Sequence, residues 1–235
     1  MSGKTILVAG GTSGIGLEVA RALVARGDSV IITGRDQART QSIAATLGER
    51  ASGLALDLSE PELIAGQLAS VGHIHGLVLC AIERDANTVR DYDIARARRL
   101  VTLKLIGYTE TIHTLLGRLD ESNETGIVLF GGRAKDAPYP GSTTVSTING
   151  GVEGMTHTLA LELAPMRVNT IHPGIIGDSP FWAEKPDGVI AGYESRTPGG
   201  ALATMQDVVE TTLFLLDNKG LSGTSLYTDR GWRLT

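Results

Sequence analysis

The segment Ile6-Leu7-Val8-Ala9-Gly10-Gly11-Thr12-Ser13-Gly14-Ile15-Gly16 constrains the fold of this chain more than any other stretch. An apolar run short enough for a buried strand breaks into a glycine-rich turn, and Ile15, Val19, Ala22 and Leu23 then recur at helical spacing. A strand that turns straight into a helix in this way builds a cradle for a pyrophosphate. Gly10 permits the tight turn, Gly14 lets the backbone approach the phosphates, and Gly16 allows close helix packing. Thr12, Ser13 and Ile15 complete the turn, where the helix N-terminus offers unpaired N–H groups and a favourable dipole. A glycine triplet alone is weak evidence; strand, glycines and amphipathic helix together point to dinucleotide binding.

The rest of the chain repeats the same alternation. Short β-rich runs at 5–9, 29–33, 51–56, 74–81, 126–130 and 167–172 are separated by helical patterns. A last helix, marked by Val208, Val209, Thr212, Leu213 and Leu216, precedes a strand near 224–228. Strands alternating with helices imply a doubly wound parallel sheet of about seven strands with helices on both faces, an α/β fold of Rossmann type. No repeat, low-complexity run or linker divides the chain, so residues 1–235 read as one dinucleotide-binding domain.

Composition narrows the function. A formal net charge of -5 without a long Lys/Arg run argues against a nucleic-acid partner. The one cysteine, Cys80, excludes an internal disulfide and a cysteine-based metal cage, and it reads as a small core residue; no metal is expected. No signal peptide precedes the first strand, and no run reaches the roughly 18 apolar residues of a membrane span, so a soluble cytoplasmic protein without a membrane partner is expected.

At the end of the second strand, Thr33-Gly34-Arg35-Asp36 places a guanidinium where the adenosine ribose of a dinucleotide would lie. An acid there would hold the 2′-hydroxyl of NAD, whereas Arg35 suits the 2′-phosphate of NADP, so NADP(H) is favoured over NAD(H). The alternative has Arg35 lying over the surface and Asp36 capping the next helix. Asp57-Leu58, after the third strand, would bond the adenine edge or else make an N-cap next to Ser59.

These residues resemble the short-chain dehydrogenase/reductase family, whose TGxxxGxG motif is met by Gly10, Gly14 and Gly16 with Ala9 in the Thr position. Gly154, Leu159-Ala160-Leu161-Glu162-Leu163, Arg167-Val168-Asn169, Pro173-Gly174 and Thr228-Asp229-Arg230-Gly231 extend the likeness to the C-terminus. The resemblance implies further cofactor contacts from Cys80, Ala81 and Ile82, from Gly131, from Asn149, and from Pro173, Gly174 and Ile176. It also implies a homodimer or homotetramer, with the small residues Gly150, Gly151 and Gly154 allowing close approach, and a substrate flap over 174–204.

The family's catalytic Ser, Tyr, Lys and Asn fall, by counting from these landmarks, on Gly132, Val145, Asn149 and Lys104. This is an atypical pattern that lacks the usual proton relay. Lys104 on the long helix, and Arg133 and Tyr139 on the loop after the fifth strand, are the polar candidates for the missing role. Lys104 either faces the pocket or is a surface lysine; Tyr139 either donates a proton or seals the loop; His172 reads as structural. Phe181, Trp182 and Tyr193 either line a substrate pocket or anchor the flap. The leading expectation is an NADP(H)-dependent oxidoreductase acting on a small molecule, a carbonyl, imine or activated double bond, with a non-standard proton donor. A non-redox NADP-binding sensor and a biosynthetic cyclase or isomerase are the alternatives.

Overall fold

Seven short runs rich in Val, Ile and Leu make the strands of one sheet: β1 (Thr5–Ala9), β2 (Ser29–Gly34), β3 (Ala51–Ala55), β4 (Gly76–Leu79), β5 (Gly126–Phe130), β6 (Arg167–Pro173) and β7 (Ser225–Thr228). The computed structural model describes residues 3–235, the side chain of residue 187 excepted. All six strand pairings are parallel, in the order β3-β2-β1-β4-β5-β6-β7. Every connection must therefore cross over, and the crossovers are helices.

Two apolar layers follow from the alternation of side chains along each strand. On one face Ile6, Val8, Val30, Ile32, Val128 and Ile171 meet α1 (Gly14–Ala25), α2 (Gln37–Leu47) and α9 (Met205–Asp217). On the other, Leu7, Leu77, Leu79, Ile127, Leu129 and Val168 meet α3 (Pro61–Gln67), α4 (Ile94–Val101), α5 (Gly107–Leu115) and α6 (Thr143–Glu162). Val19 and Leu23 of the first predicted helix face are fully buried, as are Val208 and Thr212 of the last.

Two local expectations need correction. The run 74–81 contributes only Gly76–Leu79 to the sheet: Ile74 makes an isolated bridge to Leu119, and Cys80 and Ala81 lie past the strand's end. The long helix is also not one α-helix. Between α4 and α5 the five residues Thr102–Ile106 form a π-turn, with helical backbone continuing on both sides. The extra residue in such a turn re-aims the side chains around it, and π-turns are common at functional sites.

Candidate functional site

The turn after β1 is built for close backbone approach. Gly10 has φ +89°, and a Cβ there would come within 2.7 Å of the Ala81 backbone, so the turn tolerates no side chain. Gly16 abuts the Gly10 carbonyl and Cys80 Sγ, which seats α1 against the strand ends. Gly14, at φ +52°, has nothing within 4 Å of where its Cβ would be. That open space lies over the first turn of α1, whose N-cap Ser13 makes no side-chain cap bond and whose first turn carries no acidic residue. The amides of Gly10 and Gly11 are spent on the Thr33 carbonyl, at 3.2 and 3.1 Å, which leaves the first-turn amides of α1, beside this open space, to suit a pyrophosphate.

The adenosine end is already crossed by ion pairs. Arg35 is exposed, and its Nη1 lies 2.9 Å from Glu83 Oε1. Glu83 also takes a bidentate grip from Arg99, with Nη2 at 2.7 Å, and that bond together with the nearby charge holds its carboxyl below the usual range. Asp57 accepts from Ser59 N at 2.9 Å and Ser59 Oγ at 2.6 Å, and Arg99 lies 3.6 Å away. Burial would raise its pKa, but these bonds and charges keep it lowered. Asp57 thus closes a turn rather than capping the next helix, whose N-cap is Glu60; Leu58 is core. Asp36 does cap α2, accepting from Arg39 N at 2.7 Å.

Beyond β4, Cys80 is turned under the glycine turn. Its Sγ donates to Ala9 O at 3.1 Å, and burial pushes the thiol up to about 12. Ala81 offers its backbone beneath Gly10, pinned by a 3.0 Å bond from the buried Tyr108 hydroxyl to its carbonyl, while Ile82 is exposed. Lys104 comes from the π-turn and is buried, not a surface lysine. Its Nζ donates to the carbonyls of Phe130 and, at 3.1 Å, Gly131, behind the end of β5. Burial pulls its pKa down to about 7.

The loop leaving β5 needs its glycines for contact reasons. A Cβ on Gly131 would run into the His172 ring, and one on Gly132 would come within 2.8 Å of Asn149 Nδ2. Gly132 and Asn149 are therefore neighbours, and the Asn149 amide makes no bond to any described residue. His172 is fully buried, accepts from Gly132 N at 3.0 Å through Nδ1, stacks on Tyr227, and is held neutral by burial, its pKa lowered to about 4. Val145 lies one turn before Asn149 on α6. Tyr139 is exposed, and its hydroxyl bonds to no described residue. Pro173 ends β6, Gly174 abuts Asp229, and Ile176 is buried and bridged to Ala203. Between Ile176 and Ala203 the chain folds as α7 (Pro180–Ala183) and α8 (Asp187–Glu194).

Two features have no counterpart in the sequence reading. Lys135 Nζ bonds Tyr227 Oη at 2.6 Å, Asp136 at 2.9 Å and Glu153 at 3.1 Å, a closed polar cluster between α6 and β7. At the opposite end of the sheet His73, His75 and Asp120 gather within 4.8 Å. His75 Nδ1 accepts the Thr5 amide, so its Nε2 carries the proton and cannot ligate a metal. His73 and Asp120 alone are too few ligands for a structural site.

Among known proteins, a family described as enoyl-(acyl carrier protein) reductase matches residues 9–233. The chain is 27% identical to the short-chain dehydrogenase/reductase fsr5 of Gibberella fujikuroi, over 100% of this chain and 96% of that protein. It is 28% identical to the 3-oxoacyl-[acyl-carrier-protein] reductase FabG of Haemophilus influenzae, over the full length of both. The solved structure of MalC Reductase/Diels-Alderase from Malbranchea aurantiaca superposes with a TM-score of 0.90 at 24% identity, covering 100% of this chain and 97% of that one.

Proposed function

The chain belongs to the short-chain dehydrogenase/reductase family, and on that premise we propose that it is an NADP(H)-dependent reductase that works without the family's Ser, Tyr and Lys. The observation that carries this reading is the open space over Gly14 at the uncapped start of α1, together with the uncommitted amide of Asn149 held against Gly132. When bound, the reduced nicotinamide supplies a hydride. Amides of the Thr12 to Gly16 stretch hold the pyrophosphate, Arg35 takes the 2′-phosphate, and Asn149 bonds a ribose hydroxyl. Asn149 cannot supply the positive charge of a lysine, and neither Gly132 nor Val145 can donate a proton.

Substrates that need no proton on oxygen fit such a cleft best. An iminium carbon accepts hydride, its π pair becomes the nitrogen lone pair, and a neutral amine leaves with charge balanced. Lys104, with its pKa near 7, stands behind Gly131 as a positioning residue that fixes the end of β5. A panel of iminium salts, ketones and enones should oxidise NADPH at 340 nm fastest with an iminium. Saturable NADPH binding without turnover on any class would overturn the reductase reading.

Cofactor choice has its own test. Arg35→Asp should weaken NADP binding by about 2 kcal/mol, with NAD affected far less. Glu83→Gln should do the reverse, freeing Arg35 from its present partner and tightening NADP several-fold, on the order of 1 kcal/mol. Unchanged NADP affinity in both variants, read by isothermal titration, would leave Arg35 a surface residue.

Self-association would use the outer face of α5 and α6. A largely apolar groove of about 560 Å³ runs there, lined by Leu105, Ile106, Gly154, Met155 and Leu159. Gly154 is open at this face, whereas Gly151 is already filled by Leu105 of the same chain, and Gly150, though open, does not line the groove. Gly154→Arg should convert a dimer or tetramer to smaller species in light scattering; a monomeric wild type would refute this.

A further inference from the structure

Two buried arginines in this chain are treated in opposite ways. Arg167, 2% exposed, spends its guanidinium on the carbonyls of Asn123, Leu215, Leu216 and Asn218. Arg133, 9% exposed, makes no side-chain hydrogen bond and no ion pair with any described residue, and its Nε and Nη2 are both buried without a partner. Those two N–H groups form the side-on fork of the guanidinium, the edge that takes both oxygens of a carboxylate. A buried donor left unpaired is costly, and such orphans call for an explanation.

The surroundings say what would satisfy it. Arg133 Cζ sits 3.2 Å from the centre of the Trp232 ring, a spacing that a flat stack gives, so the fork lies in the plane of the guanidinium and away from the indole face. Trp232 Nε1 is a third buried donor without a partner. From Trp232 an aromatic row runs through Tyr193, Trp182 and Phe181 in the flap, with ring centres 5.2 to 6.1 Å apart. Arg196 lies on Tyr193, and Arg84 and Lys185 lie on Phe181. None of these cations has a carboxylate within ion-pair distance among the described residues. Asp229 and Asp136 act on Arg133 through charge alone: Asp229 takes the amides of Gly231 at 2.9 Å and Arg233 at 3.1 Å, and Asp136 pairs with Lys135 at 2.9 Å. Aromatic faces already covered by cations do not recruit another cation; a cluster of unpaired donors recruits an anion.

We propose that the chain takes a substrate bearing a carboxylate between the end of β5 and the aromatic row, anchored bidentately by Arg133 with Trp232 Nε1 beside it. The inference rests on the reductase reading for what happens next to the substrate, and on the orphaned donors alone for its binding. Arg133 follows Gly132 directly in the chain, so the anchor is one residue from the glycine that packs against Asn149. Both fork donors are covered, so the side chains over them have to give way for an anion to reach the fork.

Phenylpyruvate, benzoate and hexanoate, each against its methyl ester, are the probes. Both tryptophans lie in the aromatic row, so intrinsic fluorescence reads binding with no turnover needed. The acids should bind on the order of tenfold or more tighter than the esters, Arg133→Gln should erase the difference, and Arg133→Lys should keep part of it. Thermal melting of each variant checks that it is folded. Equal affinity of acid and ester, no saturable binding of any acid, or a preference that survives in folded Arg133→Gln would overturn the proposal. A parallel NADP titration separates the two readings. If the acids are preferred and NADP does not bind, the reductase reading falls and this one stands; if NADP binds and no acid is preferred, the reverse holds.

Discussion

Replacing Arg167 by Met should cost about 4 kcal/mol of folding stability while leaving the glycine turn untouched. The guanidinium collects the last-turn carbonyls of α9, Leu215 at 2.8 Å and Leu216 at 2.6 Å, and adds Asn218 at 2.8 Å and Asn123 at 2.7 Å. Helix C-termini leave such carbonyls unpaired, and a cation there also meets the negative end of the helix dipole. Met fills much of the space but donates nothing, so four acceptors lose their charge-assisted partner in a site that excludes water. Urea denaturation would show the loss as a lower midpoint at unchanged slope. A cost under about 1 kcal/mol would mean that water reaches these carbonyls when the arginine is removed.

Lys104 should make stability depend on pH in a direction opposite to that of a paired lysine. Its folded pKa is lowered to about 7 from the model-compound 10.5, so between those values the unfolded chain holds a proton that the folded chain releases. Stability therefore rises with pH through this window, and the full penalty, about 5 kcal/mol, applies below pH 7. Lys104→Met removes the titration. The two carbonyl bonds lost with it give a constant offset, but the difference between variant and wild type should shift by about 2.5 kcal/mol between pH 6 and pH 9, in favour of the variant at low pH. A pH-independent difference would show that the carbonyls of Phe130 and Gly131 keep the amine charged throughout.

What could be read in advance was what depends on short range. The glycine turn, the strand runs and the buried faces of α1 and α9 follow from spacing along the chain, and the parallel sheet covered by helices on both faces follows from their alternation; the strand order does not. Proximity of Gly132 to Asn149 was implicit in the family resemblance. The parts missed depend on residues far apart in sequence or on a local irregularity without a sequence mark. The π-turn at Thr102–Ile106 contains no Pro or Gly, and it turns Lys104 inward where helical spacing left pocket and surface equally open. The strand run at 74–81 looked longer than it is because Cys80 and Ala81 are apolar for another reason: they form the floor under Gly10 and Gly16. Glu83 bridges Arg35 and Arg99, a contact between residues that spacing along the chain does not bring together. Arg133 was singled out as polar and near the cleft, but its stack on Trp232, 99 positions later by subtraction of the two residue numbers, has no signal in the sequence.

Direct titration of NADPH and NADH into the wild-type chain shows whether the open space over Gly14 and the start of α1 holds a nicotinamide dinucleotide. One saturable NADPH site per chain is expected, with NADH weaker by roughly tenfold or about 1.4 kcal/mol. Absence of saturable binding for both dinucleotides would contradict it.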